Sequence, residues 1–297
     1  MPPAETLRLV AASSVFLAAL AIAAAPILAA AVPARRPAHH VTAADREIYS
    51  RLLAAVRVVP ADRRGARLVA AGLALEGTPY VAGALEVPGA ERLVCNLRGL
   101  DCVTFVEACL AAARVADLPD PPFEAFLAEL ARNRYRDGRI DGYASRLHYF
   151  SEWIARNAAR GALRDVTADL GGVPADRQID YMSAHRKLYP RLASERTFAA
   201  IQATERELSA RSLVLVPRDR VAAIEADLQD GDILAIVPTT AGLDVSHTGL
   251  VRRGADGRPR LLHAPDVGDR VRTTTDTVAE YVAGHAKVHG LIVARPL

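Results

Sequence analysis

Hydrophobic residues change their period once along this chain, and that change limits the fold to one class. From Thr42 to about residue 210 the apolar positions fall at helical spacing, whereas from Ser212 onward they gather into short runs separated by turns. Thr42 is placed to cap a helix, with Asp45 three residues on and Ile48, Leu52 and Val56 along one stripe. Further helices are expected over residues 62–75, 101–114, 123–133, 147–160 and 194–210. Strands are expected over 212–216, 233–237, 247–252, 260–264 and 290–294, the third and fourth flanking the hairpin signal Ala255-Asp256-Gly257. Helices first and hairpin-spaced strands later argue for α+β with an antiparallel sheet.

The first 34 residues follow another rule. Residues 9–32 carry no charge and are mostly Ala, Leu, Ile and Val, and Ala-rich small residues precede Arg35 and Arg36. This reads as an export signal over residues 1–34, or an N-terminal anchor if it is not cleaved, followed by a linker over 35–41. His39 and His40 fall in that linker and are expected to be disordered. The work of the chain is then done outside the cytoplasm, in the periplasm or cell envelope. A net charge of +3, with basic residues dispersed, gives no nucleic-acid surface. Three cysteines are too few for a disulfide framework.

Chemistry concentrates around one of those cysteines. Cys102 follows a glycine-containing loop and opens a helix, where unpaired N–H groups and the helix dipole favour a thiolate and lower the thiol pKa. Cys109 sits further along the same helix, ~10.5 Å away, and reads as a small core residue. Cys95, in the preceding loop, is within reach of either by chain position. A nucleophilic cysteine needs a base. His247 starts one strand and His263 ends the next, so a hairpin can bring them into hydrogen-bond reach. His285 and His289 are four apart, but no HExxH pattern is present and no metal or other cofactor is expected.

Four segments together resemble the NlpC-type papain-like cysteine peptidases of bacterial cell walls: Thr78-Pro79-Tyr80-Val81-Ala82-Gly83, Leu100-Asp101-Cys102-Val103-Thr104-Phe105, Ser246-His247-Thr248-Gly249-Leu250 and Leu262-His263-Ala264. Far more chain separates Cys102 from His247 than in the minimal domain of that superfamily. Within it, the run from Arg134 to Trp153, with Gly242-Leu243-Asp244 ahead of the histidine, resembles the N-acetylmuramoyl-L-alanine amidase-like branch. The resemblance implies a papain-like domain over 42–297, its nucleophile helix packed on an antiparallel sheet, with a large, mainly helical insertion at about 115–230. It implies Cys102 as nucleophile, His247 as base, His263 as orienter and Tyr80 as support for the oxyanion, with Asp101, Ser145 and Arg146 also expected at the substrate.

The run from Arg134 to Trp153 has its own reading. Arg136, Arg139 and Arg146 are planar donors for carboxylates, and Tyr143, Tyr149 and Trp153 are faces for a sugar ring; the same residues also suit a core and a solvated face. The expected partner is peptidoglycan or a muropeptide, with no nucleic acid and with membrane contact only through an uncleaved N-terminal segment, acting as a monomer. The bond implied joins N-acetylmuramate to L-alanine. The same chemistry serves a γ-D-glutamyl-diamino acid endopeptidase, whereas a non-catalytic wall-binding protein would have lost the cysteine or a histidine.

Overall fold

A computed structural model of the protein describes residues 39–266 and 270–297. The segment 1–34, expected to be a signal, and the start of the linker lie outside the described residues. His40 does not match the disorder expected for it: its N–H donates to the Leu93 carbonyl (2.9 Å), and its own carbonyl accepts from the Cys95 N–H (3.0 Å). Those two backbone bonds tie the chain's approach to the loop ahead of Cys102.

Five helices form the first layer: α1 (Ala43–Arg57), α2 (Arg64–Ala74), α3 (Cys102–Val115), α4 (Phe123–Arg134) and α5 (Phe150–Ala159). Thr42 and Asp45 complete a reciprocal capping box at the start of α1. The buried Asp45 carboxylate also accepts from the Leu97 N–H (2.9 Å) and Arg98 Nε (3.2 Å), so one cap anchors a second loop. Helix α3 is apolar nearly all round and buried from Thr104 to Ala113, which makes it the axis of the helical layer. Each of its buried large side chains, such as Phe105 and Leu110, contributes roughly 1.5–3 kcal/mol of hydrophobic stabilisation.

The sheet is antiparallel throughout. Its strands are β1 (Leu163–Asp165), β2 (Val173–Ala175), β3 (Leu213–Pro217), β4 (Ile233–Pro238), β5 (His247–Arg253), β6 (Pro259–His263), β7 (Arg272–Thr277) and β8 (Val288–Pro296), in the order β2-β3-β8-β4-β5-β6-β7, with β1 also on β8. Every residue of β4 is buried because both faces of the sheet are covered. Ile233, Ala235 and Val237 face the helical layer. Leu234 and Ile236 face a second core that includes Val221 and Ile224 of α8 (Val221–Ile224) and Val278 and Val282 of α9 (Val278–Gly284). A third cluster, around Tyr143, Tyr149, Met182 and Ile201, lies with α6 (Tyr181–Ala184) and α7 (Glu195–Ser209).

Two departures from the sequence reading have physical causes. Strand β7, Arg-Thr-Thr-Thr-Asp-Thr, has no apolar alternation because it is an exposed edge, and β1 and β2 are three residues each. The stretch at 115–230 carries α4 to α8 and also supplies the short strands β1, β2 and β3 to the common sheet, within one compact unit of the described residues. The aromatic and arginine run from Arg134 to Trp153 is largely interior. Tyr143, Tyr149 and Trp153 are buried, and Arg136 is spent on the Glu152 carboxylate (2.8 Å).

Among the described residues, the most buried ion pair joins α3 to the end of α4. Arg134 Nε donates to Glu107 Oε2 at 2.7 Å, with the two side chains 3% and 2% exposed, and its Nη1 donates to the Val94 carbonyl. Burial pushes the Glu107 carboxyl above its usual range, while Arg134 acts against that shift. Such a pair adds little net stability when intact and leaves a stranded charge when broken. Arg134→Met should therefore lower unfolding free energy by about 3–5 kcal/mol, and the double variant Arg134→Met/Glu107→Leu by less. Urea denaturation of the three proteins checks the order.

Candidate active site

The site begins with a helix cap. Asp101 precedes α3 in extended conformation; its Oδ1 accepts from the Thr104 N–H (2.8 Å), and Thr104 Oγ1 accepts from the Asp101 N–H (2.9 Å). That box makes Cys102 the first residue of α3. The Asp101 carboxylate is thereby committed to the cap, so its position is that of a residue that places the thiol.

Tyr80 reaches the thiol through a short ribbon. Gly77, at φ 83°, turns the chain out of α2; its N–H donates to Val271, and Val271 donates back to Thr78. On the other side, the Leu100 N–H donates to Pro79 and the Val81 N–H to Leu100, both at 3.0 Å. The approach is close enough that a Cβ on Gly99 would lie 2.4 Å from Val81 Cγ2.

The histidines come from the sheet. His247 opens β5 opposite Ile236, and His263 ends β6. Gly249 lets the strands close around them, because a Cβ there would sit 2.9 Å from His263 Cβ. His247 Nε2 and His263 Nδ1 are 2.7 Å apart and share one hydrogen. The ring nitrogen of His247 left to exchange a proton is Nδ1. Tyr80, Cys102, His247 and His263 line a single cleft of about 790 Å³, with Asp266 and Tyr281 on its walls.

The electrostatics correct one expectation. The Cys102 sulfur accepts backbone hydrogen bonds from Thr248, Val103 and its own N–H, as a helix start should provide. Dense burial outweighs them, helped by the Asp101 charge, and pushes the thiol up to about 12 rather than down. Burial, chiefly, also holds His247 down to about 4 and His263 to about 3. The resting site is a neutral thiol beside neutral imidazoles. Cys95 and Cys109 are buried, unpaired and likewise pushed up.

The other expected residues lie elsewhere. Ser145 Oγ donates to the Gly142 carbonyl (2.7 Å) and accepts from the Asp141 N–H (3.0 Å). Arg146 forks onto Glu91 (2.9 Å) and bonds Glu86 (2.6 Å). Neither lines the cleft. His148 bonds the Tyr143 carbonyl (2.9 Å) and is also remote from the pair. His285 follows α9 whereas His289 lies in β8, so the two share no helix face, and among the described residues no three metal-ligating side chains converge.

The family model of AmiA-like, N-acetylmuramoyl-L-alanine amidase-like proteins matches residues 70–288. The chain belongs to the AmiA-like family. Solved structures agree with that membership. An N-acetylmuramoyl-L-alanine amidase from Bacteroides uniformis is 36% identical, with a TM-score of 0.74 over 79% of this chain and 99% of its own. A Bacteroides fragilis protein designated a xylanase candidate is 37% identical over 75% of this chain and 98% of its own, with a TM-score of 0.69. A Legionella pneumophila protein of the DUF1460 family model is 17% identical over 86% of this chain and 93% of its own, with a TM-score of 0.62, and shares the fold. No curated protein matches the chain.

Two features of this AmiA-like site escaped the sequence reading. Asp244, buried just ahead of β5, accepts from the Ser151 N–H (2.8 Å) and so caps α5 from a distant part of the chain. Tyr281 of α9 stands edge-on to His263. The capping box Thr277–Glu280 announces α9 in sequence, but nothing in it says that the next residue meets a histidine.

Depressed histidines tie stability to pH. His148, His247 and His263 are held neutral in the fold, at about 3, 4 and 3, while the unfolded chain binds protons near ~6.5. Their contribution is complete above that value and drains away as pH falls through it toward 4, at up to about 1.4 kcal/mol per pH unit for each histidine. Unfolding free energies at pH 7 and pH 5 should differ in that direction, and His148→Gln should shrink the difference by about a third.

Proposed function

We propose that this AmiA-like protein is an exported, cysteine-dependent hydrolase of papain-like build that cleaves the amide between N-acetylmuramate and L-alanine. The 2.7 Å pair of His247 and His263, in one cleft with Cys102, is the observation that carries the reading. The family and the Bacteroides uniformis amidase support the substrate class. Glycosidase chemistry uses two carboxylic acids flanking the bond; Asp266 and Asp276 also line the cleft, but the groups in hydrogen-bond contact there are the two imidazoles, in the cleft of the Cys102 thiol.

The steps follow from the neutral resting state. As Sγ bonds to the substrate carbonyl carbon, the thiol proton passes to His247 Nδ1, and the new imidazolium is steadied through Nε2 by His263 Nδ1. That geometry requires the one N–H of neutral His263 to sit on Nε2, leaving Nδ1 to accept from His247. The oxyanion meets N–H groups at the start of α3 and the Tyr80 hydroxyl, whose own pKa of about 12 keeps it a donor. His247 then gives its proton to the departing amine of L-alanine as the C–N bond breaks. Water, deprotonated by the same imidazole, opens the thioester, releasing the muramyl acid and restoring the thiol.

Product analysis by mass spectrometry tests the bond directly. Defined muropeptides should yield a free muramyl sugar and an intact peptide beginning with L-alanine. Products cut after γ-D-glutamate would replace the amidase reading with the endopeptidase one. Cys102→Ser should fold and lose roughly 10⁴-fold or more in kcat, while Cys109→Ser keeps most activity. Equal rates for wild type and Cys102→Ser would exclude the cysteine mechanism.

The acid limb of the rate follows His247. A base held to about 4 stays neutral and competent through pH 5, well below the ordinary imidazole range. The profile of kcat/KM should therefore hold from pH 8 to about 5 and fall near 4 as His247 takes a proton. A midpoint near ~6.5 would show an imidazole in ordinary solvent contact.

A further inference from the structure

One wall of the cleft, built by β7, α9 and the start of β8, takes no part in the chemistry described above. Four rings cross toward it in a row. The centroids of His247 and His263 are 4.9 Å apart, those of His263 and Tyr281 5.8 Å, and those of Tyr281 and His285 4.2 Å in a stack. Arg272 stands directly opposite His263 in the β6–β7 ladder, so the two side chains leave the sheet on the same face. Lys287, one of only two lysines in the chain, lines the same wall next to Val288.

Charge on this wall is not internally matched. The arginines of the interior are committed to carboxylates, as Arg134 is to Glu107 and Arg146 to Glu91. Arg272 and Lys287 make no ion pair among the described residues, although Asp266 and Asp276 also line the cleft. Beside the catalytic pair the guanidinium of Arg272 is the relevant group: it takes a carboxylate through two parallel hydrogen bonds. The cleft is large enough for a peptide of two or three residues beside the thiol. Of the two halves of a muropeptide, only the stem peptide offers such a group close to the scissile amide, the α-carboxylate of its D-glutamate.

We propose that Arg272, beside His263 on the same face of the sheet, forms a carboxylate subsite that holds the free α-carboxylate of the D-glutamate next to L-alanine, so that the protein selects stem peptides bearing the acid over those bearing its amide. The identity of the carboxylate rests on the amidase reading; the cationic wall does not. Tyr281 stands edge-on to His263 and stacks on His285, continuing the same wall.

The test uses Cys102→Ala protein and lactyl-L-alanyl-D-glutamate blocked as its γ-methylamide, with the α-carboxyl either free or amidated. Calorimetric titration should show the acid binding about tenfold more tightly than the amide, the effect of one charge-assisted contact. Adding Arg272→Met should abolish the preference while leaving affinity for the amide and the melting temperature unchanged. Equal affinities in the Cys102→Ala protein, no binding of the acid, or a preference that survives Arg272→Met would each overturn the subsite. Wild-type protein given the same acid reports separately on the reaction. Failure to release lactate, with the acid preference intact, would remove the amidase reading and leave the carboxylate subsite standing.

Discussion

Glu107 and Arg134 meet in the interior, and the placement of Cys102 depends on the helix and loop they hold. The carboxylate belongs to the second turn of α3, and the guanidinium closes α4 and bonds the Val94 carbonyl in the loop that runs toward the thiol. Asp45, from α1, holds the same loop at Leu97 and Arg98. Two buried carboxylates thus fix a segment that has little regular structure of its own. A helix start can present N–H groups to a sulfur only if the chain entering it is rigid, and this entry is made rigid by charge buried at some cost in desolvation.

The same burial decides the resting state of the site. Backbone amides around the Cys102 sulfur would favour an anion in open solvent, but the packed surroundings raise the thiol and lower both histidines together. Neutral partners at rest move the charge separation into the step where the substrate is attacked. They also leave the acid range open to the base, because a histidine kept neutral to about 4 is still available where an exposed one is already protonated.

The long stretch between the thiol and the histidines serves the frame more than the substrate. Trp153, Tyr149 and Tyr135 are core residues; Arg146 is locked to Glu91 and Glu86, and Tyr135 shares Glu91. Through β1 and β3 the stretch extends the sheet along β8, and through Ser151 it receives a cap from Asp244 at the doorstep of His247. An aromatic and arginine-rich run fits both a sugar platform and a core, and only the neighbours that pack on it separate the two.

By itself the sequence determined the local units. The Thr42–Asp45 cap, the 3.6-residue stripes of α1 to α5 and α7, the apolar runs of β3, β4 and β8 and the hairpin after β5 are all written in neighbouring residues, which is why they were legible. The positions of Cys102 at a helix start and of His247 and His263 on paired strands were legible for the same reason. Tertiary structure alone decided the rest. Edge strand β7 is held by its ladder to β6 rather than by any apolar pattern, Arg146 was turned inward by glutamates more than fifty residues away, and Tyr281 was brought against His263 by the docking of α9. The ionisation of the thiol followed the same division: a helix start is a local feature that favours the anion, but burial is the sum of everything packed around it, and here that sum is the larger.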